Sequence, residues 1–492
     1  MSSSLYSRLF VEPAPAPWLE NKPWHRWLVV GLICIGTFVG QLDATIVQLA
    51  LPTLGRAFDV PLQEVSWVAL SYLLAFASFL PIFGRLCEMF GRKTLYIAGY
   101  AIFISASALC GIAETFDQLL FFRFIQGIGG SLLGANSISI LVKSVPLESR
   151  GRALGYFAAA QAIGMSAGPA LGGVLLTTLG WRWIFWITVP FGVIAVVLGW
   201  LALPRSTGTD SAKTFDWGGA LLIGPALILT VTALNHASGS GLGSKISLVS
   251  VAVAAILFWL LARRERASAS PLINPALFRI PAFYLGSAAV ALSYALLYGI
   301  FFLMSFALEH GYEESPAEAG FRLAIVPIAL GLTAPFSSQL RERMGVRAIS
   351  AFAMACCLGA VILLIMTTAD IAHHRLYHTI AFILFGVGLG LFIAPNNTFT
   401  LAAVPAELSG AAGSMLNLMR SLGTSLGVAV GAATLSWRLR ADTAADTNWL
   451  TASSGDLLAA VSSSLPALAI LAILAAGAQL IATRQRNNAA PT

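Results

Sequence analysis

Asp43 is the carboxylate that lies well inside a long apolar run, in the stretch Gln41-Leu42-Asp43-Ala44-Thr45. An acid at membrane depth costs a few kcal/mol and normally has a job there. Pro52, nine residues further on, marks the outer end of this first apolar segment, about 13 Å from Asp43. Arg123 sits about 9 Å into the fourth apolar segment from the same side. The two side chains can therefore meet at similar depth. Burial favours the neutral acid and a neighbouring guanidinium favours the carboxylate. A group set between those two effects can load and release a proton, with Arg123 as its partner. A purely structural tie between spans one and four is the alternative.

Arg420 is a second deep cation, near the middle of the thirteenth apolar segment. Gln161 stands 259 residues before it, at the matching position of an internal repeat described below. Neither residue suits lipid, so both are expected to face the interior. Substrate or anion contact competes here with plain hydrogen bonding to helix carbonyls. With Asp43 ionised, Arg123 and Arg420 leave one positive charge over, which tilts the expectation toward neutral, zwitterionic or anionic substrates. Asn417 lies one turn before Arg420 and can share its face. Asn396, Asn397, Gln126, Tyr294 and Tyr298 complete the set of candidate cavity residues. His373, His374 and His378 cluster, the last two at i, i+4 spacing. They are too poor in neighbouring carboxylates to make a convincing metal site, and no metal or cofactor is expected.

These residues need elements to hold them. The chain has 492 residues, is 57% hydrophobic and 10% charged, and has a mean hydropathy of +0.81. A soluble domain carries about 25% charged residues, so the solvent must be a bilayer. The net charge of +7 comes from residues spread over short loops, which excludes nucleic acid as a partner. Five cysteines lie in or beside apolar segments with no disulfide or zinc pattern. The first 26 residues resemble no signal peptide and read as a polar cytoplasmic tail.

A span needs about 20 mostly apolar residues. Fourteen such segments are expected, at 27–50, 65–83, 94–113, 117–142, 152–178, 183–203, 216–236, 246–262, 283–308, 318–339, 348–367, 376–402, 410–434 and 457–482. With the N-terminus inside, the inside loops hold about 20 Lys and Arg against about 7 outside, so both termini are expected in the cytoplasm. The stretch PIFGRLCEMFGRK at 81–93 returns as PFSSQLRERMGVR at 335–347, an offset of 254. Val145-Pro146-x-Glu148-x-x-Gly151 returns as Val404-Pro405-x-Glu407-x-x-Gly410. Two six-helix bundles follow, 27–203 and 283–484, with two extra spans and a linker at 204–282 and a short tail at 485–492. Repeated halves place a substrate site between them and rock about it.

Gly164, Gly168 and Gly172 recur every four residues, and Gly423, Gly427 and Gly431 repeat the pattern. Such strips let helix backbones approach closely, and Pro169 can bend its helix. Gly84, Arg85, Glu88, Gly91, Arg92 and Lys93 are expected to form a tight charged turn that biases an inner gate. Each exposed pair is worth only about 0–1 kcal/mol, enough to shift a two-state balance.

Several stretches together resemble the major facilitator superfamily, in its fourteen-spanner drug:proton antiporter branch. Gly84 to Lys93 is similar to the family's loop signature, with Glu88 and Met89 where Asp and Arg are usual. Leu42 to Pro52 resembles the first-span signature, with Gln48 in place of Asn. Arg123-Phe-Ile-Gln126-Gly127-Ile-Gly129 resembles the fourth-span signature. Gly164 to Gly173 resembles the fifth-span antiporter signature, followed by Trp181-Arg182-Trp183. The extra acid of some multidrug members is missing between Leu323 and Leu340. The resemblance implies an all-α membrane protein of the major facilitator fold. It implies proton-coupled export of small amphipathic compounds across a bacterial inner membrane, with substrate, protons and the bilayer as partners. A periplasmic adaptor is left open. A facilitator or importer of a metabolite, and a sensor without transport, remain alternatives. An enzyme is not expected, since HExxH, GxSxG and acid-dyad patterns are missing, and so is a Walker A sequence.

Overall fold

The computed structural model describes residues 12, 14–206, 215–240, 245–268, 271–368, 373–442 and 449–489. In hydrocarbon the backbone must satisfy its own polar groups, and the apolar segments accordingly form long helices. In chain order these are α1 (His25–Phe58), α2 (Leu62–Phe90), α3 (Arg92–Gly111), α4 (Phe116–Ser144), α5 (Arg150–Thr178) and α6 (Thr188–Ala202). There follow α7 (Trp217–Ser240), α8 (Lys245–Ala267), α9 (Pro281–Phe306), α10 (Pro316–Thr333) and α11 (Ser337–Thr367). The last three are α12 (His374–Leu401), α13 (Ser409–Asp442) and α14 (Ser454–Ala489).

Among the described residues, twelve helical stretches are long and apolar enough to cross a membrane. Fourteen were expected. One of the twelve, Pro316–Thr367, is 52 residues long and contains both α10 and α11, and of α7 only the part Trp217–Ala233, shorter than a span, enters the count. The helices also outrun the apolar segments. Pro52 was expected to end the first span, yet α1 continues to Phe58. Asp43 therefore lies near the middle of its helix. The region after Gly84 was expected to be a tight turn; instead α2 stays helical to Phe90. The chain breaks at Gly91, with φ 101° and ψ 151°, and at its repeat partner Gly345, with φ 78° and ψ 157°. The same left-handed break at the same place in both halves is a conformation that glycine adopts without strain.

Packing repeats as the sequence does. In the first half α1 packs on α4, α5 and α6, α2 on α4, and α3 on α4 and α6. In the second half α9 packs on α12, α13 and α14, α10 on α12, and α11 on α12 and α14. Between halves, α5 meets α10, α13 meets α2, and α1 meets α9, as a two-fold relation requires. The pair α7–α8 lies outside this pattern, with α7 against α2 and α13. The glycine strips let several of these helices approach closely. A methyl on Gly164 or Gly168 would strike the α1 backbone or Thr45, and one on Gly172 would strike Ile46. Gly423 and Gly427 lie against the backbone at Ala291 and Ala295 of α9 in the same way. Gly173 and Gly320 do this between halves, against Pro316 and Pro169.

Among the described residues before α1, several are docked on the bundle. Ala16 donates its amide to Leu201, and Leu19 is buried. Glu12 caps α3 by accepting from the amides of Lys93, at 2.9 Å, and Thr94, at 3.3 Å. The polar tail expected from the sequence thus includes a helix cap that holds the break at Gly91.

Adding one methyl group separates the packed glycines from the free ones. Gly423→Ala is expected to lower stability by about 1–3 kcal/mol through overpacking. Gly477→Ala, where nothing lies within 4 Å, is expected to be neutral or to gain about 0.5–1 kcal/mol. Thermal unfolding in detergent, followed by tryptophan fluorescence, checks both.

Candidate functional site

Asp43 and Arg123 meet. Arg123 Nη1 donates to Asp43 Oδ2 at 2.8 Å, and both residues are fully buried. Gln126, one turn from Arg123 on α4, gives its amide hydrogens to Asp43 Oδ1 at 2.8 Å and to Ser107 Oγ of α3 at 2.6 Å. Its carbonyl oxygen accepts from Arg123. Arg123 Nε donates to the Val68 carbonyl of α2 at 3.1 Å. The guanidinium also lies over the Tyr72 ring, 4.4 Å from its centroid. Four helices are thereby joined through one acid and one base. Both carboxylate oxygens are satisfied, which is what a buried charge requires. Gln126 was expected in the substrate cavity; the structure places it with the acid.

A cavity runs between the halves and holds about 900 Å³ of atom-free space, open solvent included. Thr37, Gln41 and Ala44 of α1 face it, along with Gln161 of α5, Tyr294 and Tyr298 of α9, and Asn417, Arg420 and Thr424 of α13. Residues 37, 41 and 44 share one helical face, while Asp43 points the other way, to α4. Tyr72 belongs to both places. It lines the cavity and carries Arg123 on its ring. Sequence reading passed over Tyr72, because an aromatic in an apolar segment reads as packing. Gln161 and Arg420 do face the same space. Arg420 lies 5.1 Å from the Tyr294 ring centroid, and its Nε is buried with no hydrogen-bond partner. Asn396 and Asn397 are not among the lining residues. Asn396 instead donates to the Gly286 carbonyl at 3.2 Å and ties α12 to α9.

The lining comes from the middle of the helices and from the parts nearer the basic loops, such as Ile138 on α4 and Phe157 on α5. The opposite end is closed by contacts between the halves. Arg56 of α1 donates to Glu309 at 2.9 Å, and Thr53 donates to the same oxygen at 3.1 Å. The Trp449 indole donates to the Val60 carbonyl at 3.2 Å and covers Gly55. Arg440 reaches Gln63 at 3.2 Å. Glu309 is a buried acid just past the expected end of the ninth span, in a π-turn at Ala307–Gly311. A boundary set at residue 308 hid it.

The charged residues of the other end are arranged within their own half. Arg85 pairs with Glu88 at 3.0 Å, three residues apart on α2. Arg92 donates its backbone amide to Ser206 at 2.6 Å. At the Arg56–Glu309 end, His374 and His378 lie on the first turns of α12. His374 stacks on Tyr312, with centroids 4.0 Å apart, and meets Glu314 at 3.2 Å. Asp370, beside that cluster in sequence, lies outside the described residues.

Known proteins agree with this arrangement. The chain is 32% identical over 405 residues to the riboflavin transporter RibZ of Clostridioides difficile, covering 82% of this chain and 87% of that one. It is 30% identical over 421 residues to the tetracenomycin C resistance and export protein of Streptomyces glaucescens, covering 85% and 77%. It is 31% identical over 420 residues to the putative multidrug resistance protein MdtD of Escherichia coli, covering 84% and 86%. A crystal structure of a bacterial homolog to the human lysosomal transporter Spinster, inward-facing and unoccupied, superposes with a TM-score of 0.70 at 16% identity. It covers 96% of this chain and 100% of that one. Residues 33–428 match the Major Facilitator Superfamily. Two repeated halves around a shared cavity, in a chain of apolar helices whose relatives are named as transporters, are those of a membrane transporter that belongs to the Major Facilitator Superfamily.

Proposed function

We propose that this chain is a proton-coupled exporter of small amphipathic compounds, working by alternating access between its two six-helix halves. The observation that carries this reading is the buried Asp43–Arg123–Gln126 cluster, separated from the cavity by the Tyr72 ring. Protonating Asp43 removes the ionic partner of Arg123. A buried charge that loses its partner costs about 3–5 kcal/mol, so the helices joined at Arg123 must shift. That couples a proton to a change of shape. The relatives named for drug resistance and export support the outward direction.

Fourteen crossings are part of the proposal. A stretch of 52 residues is about 78 Å of helix, far more than a hydrocarbon core of about 30 Å. Its break at Gly345 matches the break between α2 and α3 at Gly91. Exposed Ile246, Val249, Ile256 and Trp259 suit α8 to lipid, and α7 packs against it. With the basic loops in the cytoplasm, the cavity faces inward and the Arg56–Glu309 end is the closed outer gate. The membrane is then the bacterial inner membrane. One proton moving down about 100 mV supplies about 2.3 kcal/mol, which holds a neutral solute at a gradient of roughly fifty-fold.

Everted vesicles under an imposed pH gradient test the coupling. Adding substrate to wild type is expected to trigger proton movement, and Asp43→Asn to reduce it at least ten-fold. Solute movement that continues unchanged in Asp43→Asn would remove the acid from the mechanism. Solute flux with no proton movement in wild type would make the protein a facilitator.

The outer gate has its own test. Cysteines placed at Gln63 and Arg440, whose long side chains touch between the halves, are expected to be bridged by a bifunctional methanethiosulfonate reagent of matching length and to stop transport. Reductant is expected to restore it. Adding Glu309→Gln to this pair is expected to slow cross-linking several-fold, because the halves then separate more often at that end.

A further inference from the structure

Resting on the transport reading above, we infer that the cavity is built for planar aromatic acids, bound as anions with their carboxylate on Arg420. Three features of the wall point to this. The first is charge. Among the described residues, Arg420 is the one fully charged side chain that lines the cavity, and no Asp or Glu does. The other deep cation, Arg123, already has Asp43 at 2.8 Å. Arg420 thus brings a positive charge into a largely apolar wall without a carboxylate facing it, and an anionic substrate supplies one. A lipophilic cation finds the opposite: a repelling charge and no acid to receive it.

The second is the unused donor. Arg420 Nε is buried without a hydrogen-bond partner. Guanidinium presents its N–H groups in a planar fork that matches a carboxylate with two parallel hydrogen bonds. Leaving a buried donor unsatisfied costs free energy that a ligand oxygen recovers. Asn417 lines the cavity one turn away and offers a further amide.

The third is the shape of the surroundings. Tyr294 holds the guanidinium against its ring, 5.1 Å from Cζ to centroid. Tyr298, Tyr72, Phe76 and Phe157 add flat apolar surface to the same cavity. Aromatic faces and edges pair best with other rings. A flat ring system bound there rests near Tyr72, whose ring also carries Arg123. Substrate occupancy thereby reaches the Asp43 pair through one side chain. An anion leaving the cytoplasm is also assisted by an inside-negative membrane potential, so charge and direction agree.

Three probes with one ring system separate the charges: anthracene-2-carboxylate, anthracene-2-carboxamide and 2-(aminomethyl)anthracene. Binding to purified full-length protein in nanodiscs is read from probe fluorescence. Wild type is expected to bind the carboxylate at least ten-fold tighter than the amide or the amine. Arg420→Gln is expected to bring the carboxylate to within two-fold of the amide. Arg420→Lys keeps the charge and loses the fork, and is expected to fall between. Size-exclusion elution and tryptophan-monitored thermal unfolding that match wild type show that the fold is intact in each variant. The proposal is overturned if the amine binds wild type as tightly as the carboxylate, or if the carboxylate preference survives in Arg420→Gln. It is equally overturned if the carboxylate does not bind at millimolar concentration. Asp43→Asn is expected to shift the affinity for all three probes and to keep the order carboxylate before amide, so a failure of proton coupling is read in vesicle flux and a failure of charge selection in the ratio of affinities.

Discussion

The ion pair between Asp43 and Arg123 is the constraint on which the first half of this protein is built. A carboxylate and a guanidinium with no access to solvent are tolerable only as a pair whose remaining hydrogen-bonding groups are also used. Here that requirement recruits Gln126, Ser107 and the carbonyl of Val68, and so draws α1, α2, α3 and α4 to one point. Such a network is worth more as a device than as a support. An apolar cluster of equal volume would hold four helices together at no electrostatic risk. A charged one has two states, because a single proton changes whether Arg123 has an ionic partner.

If the pair switches as proposed, the two-fold arrangement explains how it can move something large. Helices that slide or rock must pack closely without interlocking. The glycine strips on α5 and α13 do this against α1 and α9, and Gly173 and Gly320 do it between the halves. Backbone-to-backbone contact of this kind gains dispersion energy while placing few side chains in the way of a rotation. The breaks at Gly91 and Gly345 serve the same economy, since each lets a long helix end and the next begin without a bulky loop at the moving edge.

Much of this was legible in the residues, and what was not has physical reasons. Asp43 and Arg123 could be paired from depth alone, because an intramembrane acid needs a partner and few are offered. Gln161 and Arg420 could be placed inside from the repeat. Gln126 could not be assigned correctly between the acid and the cavity, because one turn of helix separates the two destinations. Asn396 read as a cavity residue and is a helix tie, since an amide in an apolar segment satisfies itself equally well on a neighbouring carbonyl. Glu309 was hidden by a boundary: the helix continues as a π-turn, and composition does not register where a helix changes pitch. The same limit applies at Pro52, which sits inside α1 without ending it. Tyr72 carried no signal, because its importance lies in having one ring between two sites.

Helix α1 bears both the acid of the buried cluster and the arginine of the far-end closure. Asp43 and Arg56 are separated by 13 residues, about 20 Å along one helix. At one place α1 is held to α4 of its own half, and at the other to Glu309 of the opposite half. A helix held at two points carries a shift from one to the other, with Pro52 between them as the place where it can bend. The face of α1 between them, at Gln41 and Ala44, is part of the cavity wall. In the proposed mechanism, proton, substrate and gate therefore all act on one helix. This geometry needs no longer pathway than α1 itself for the occupancy of the cavity to bias which end of the protein is open.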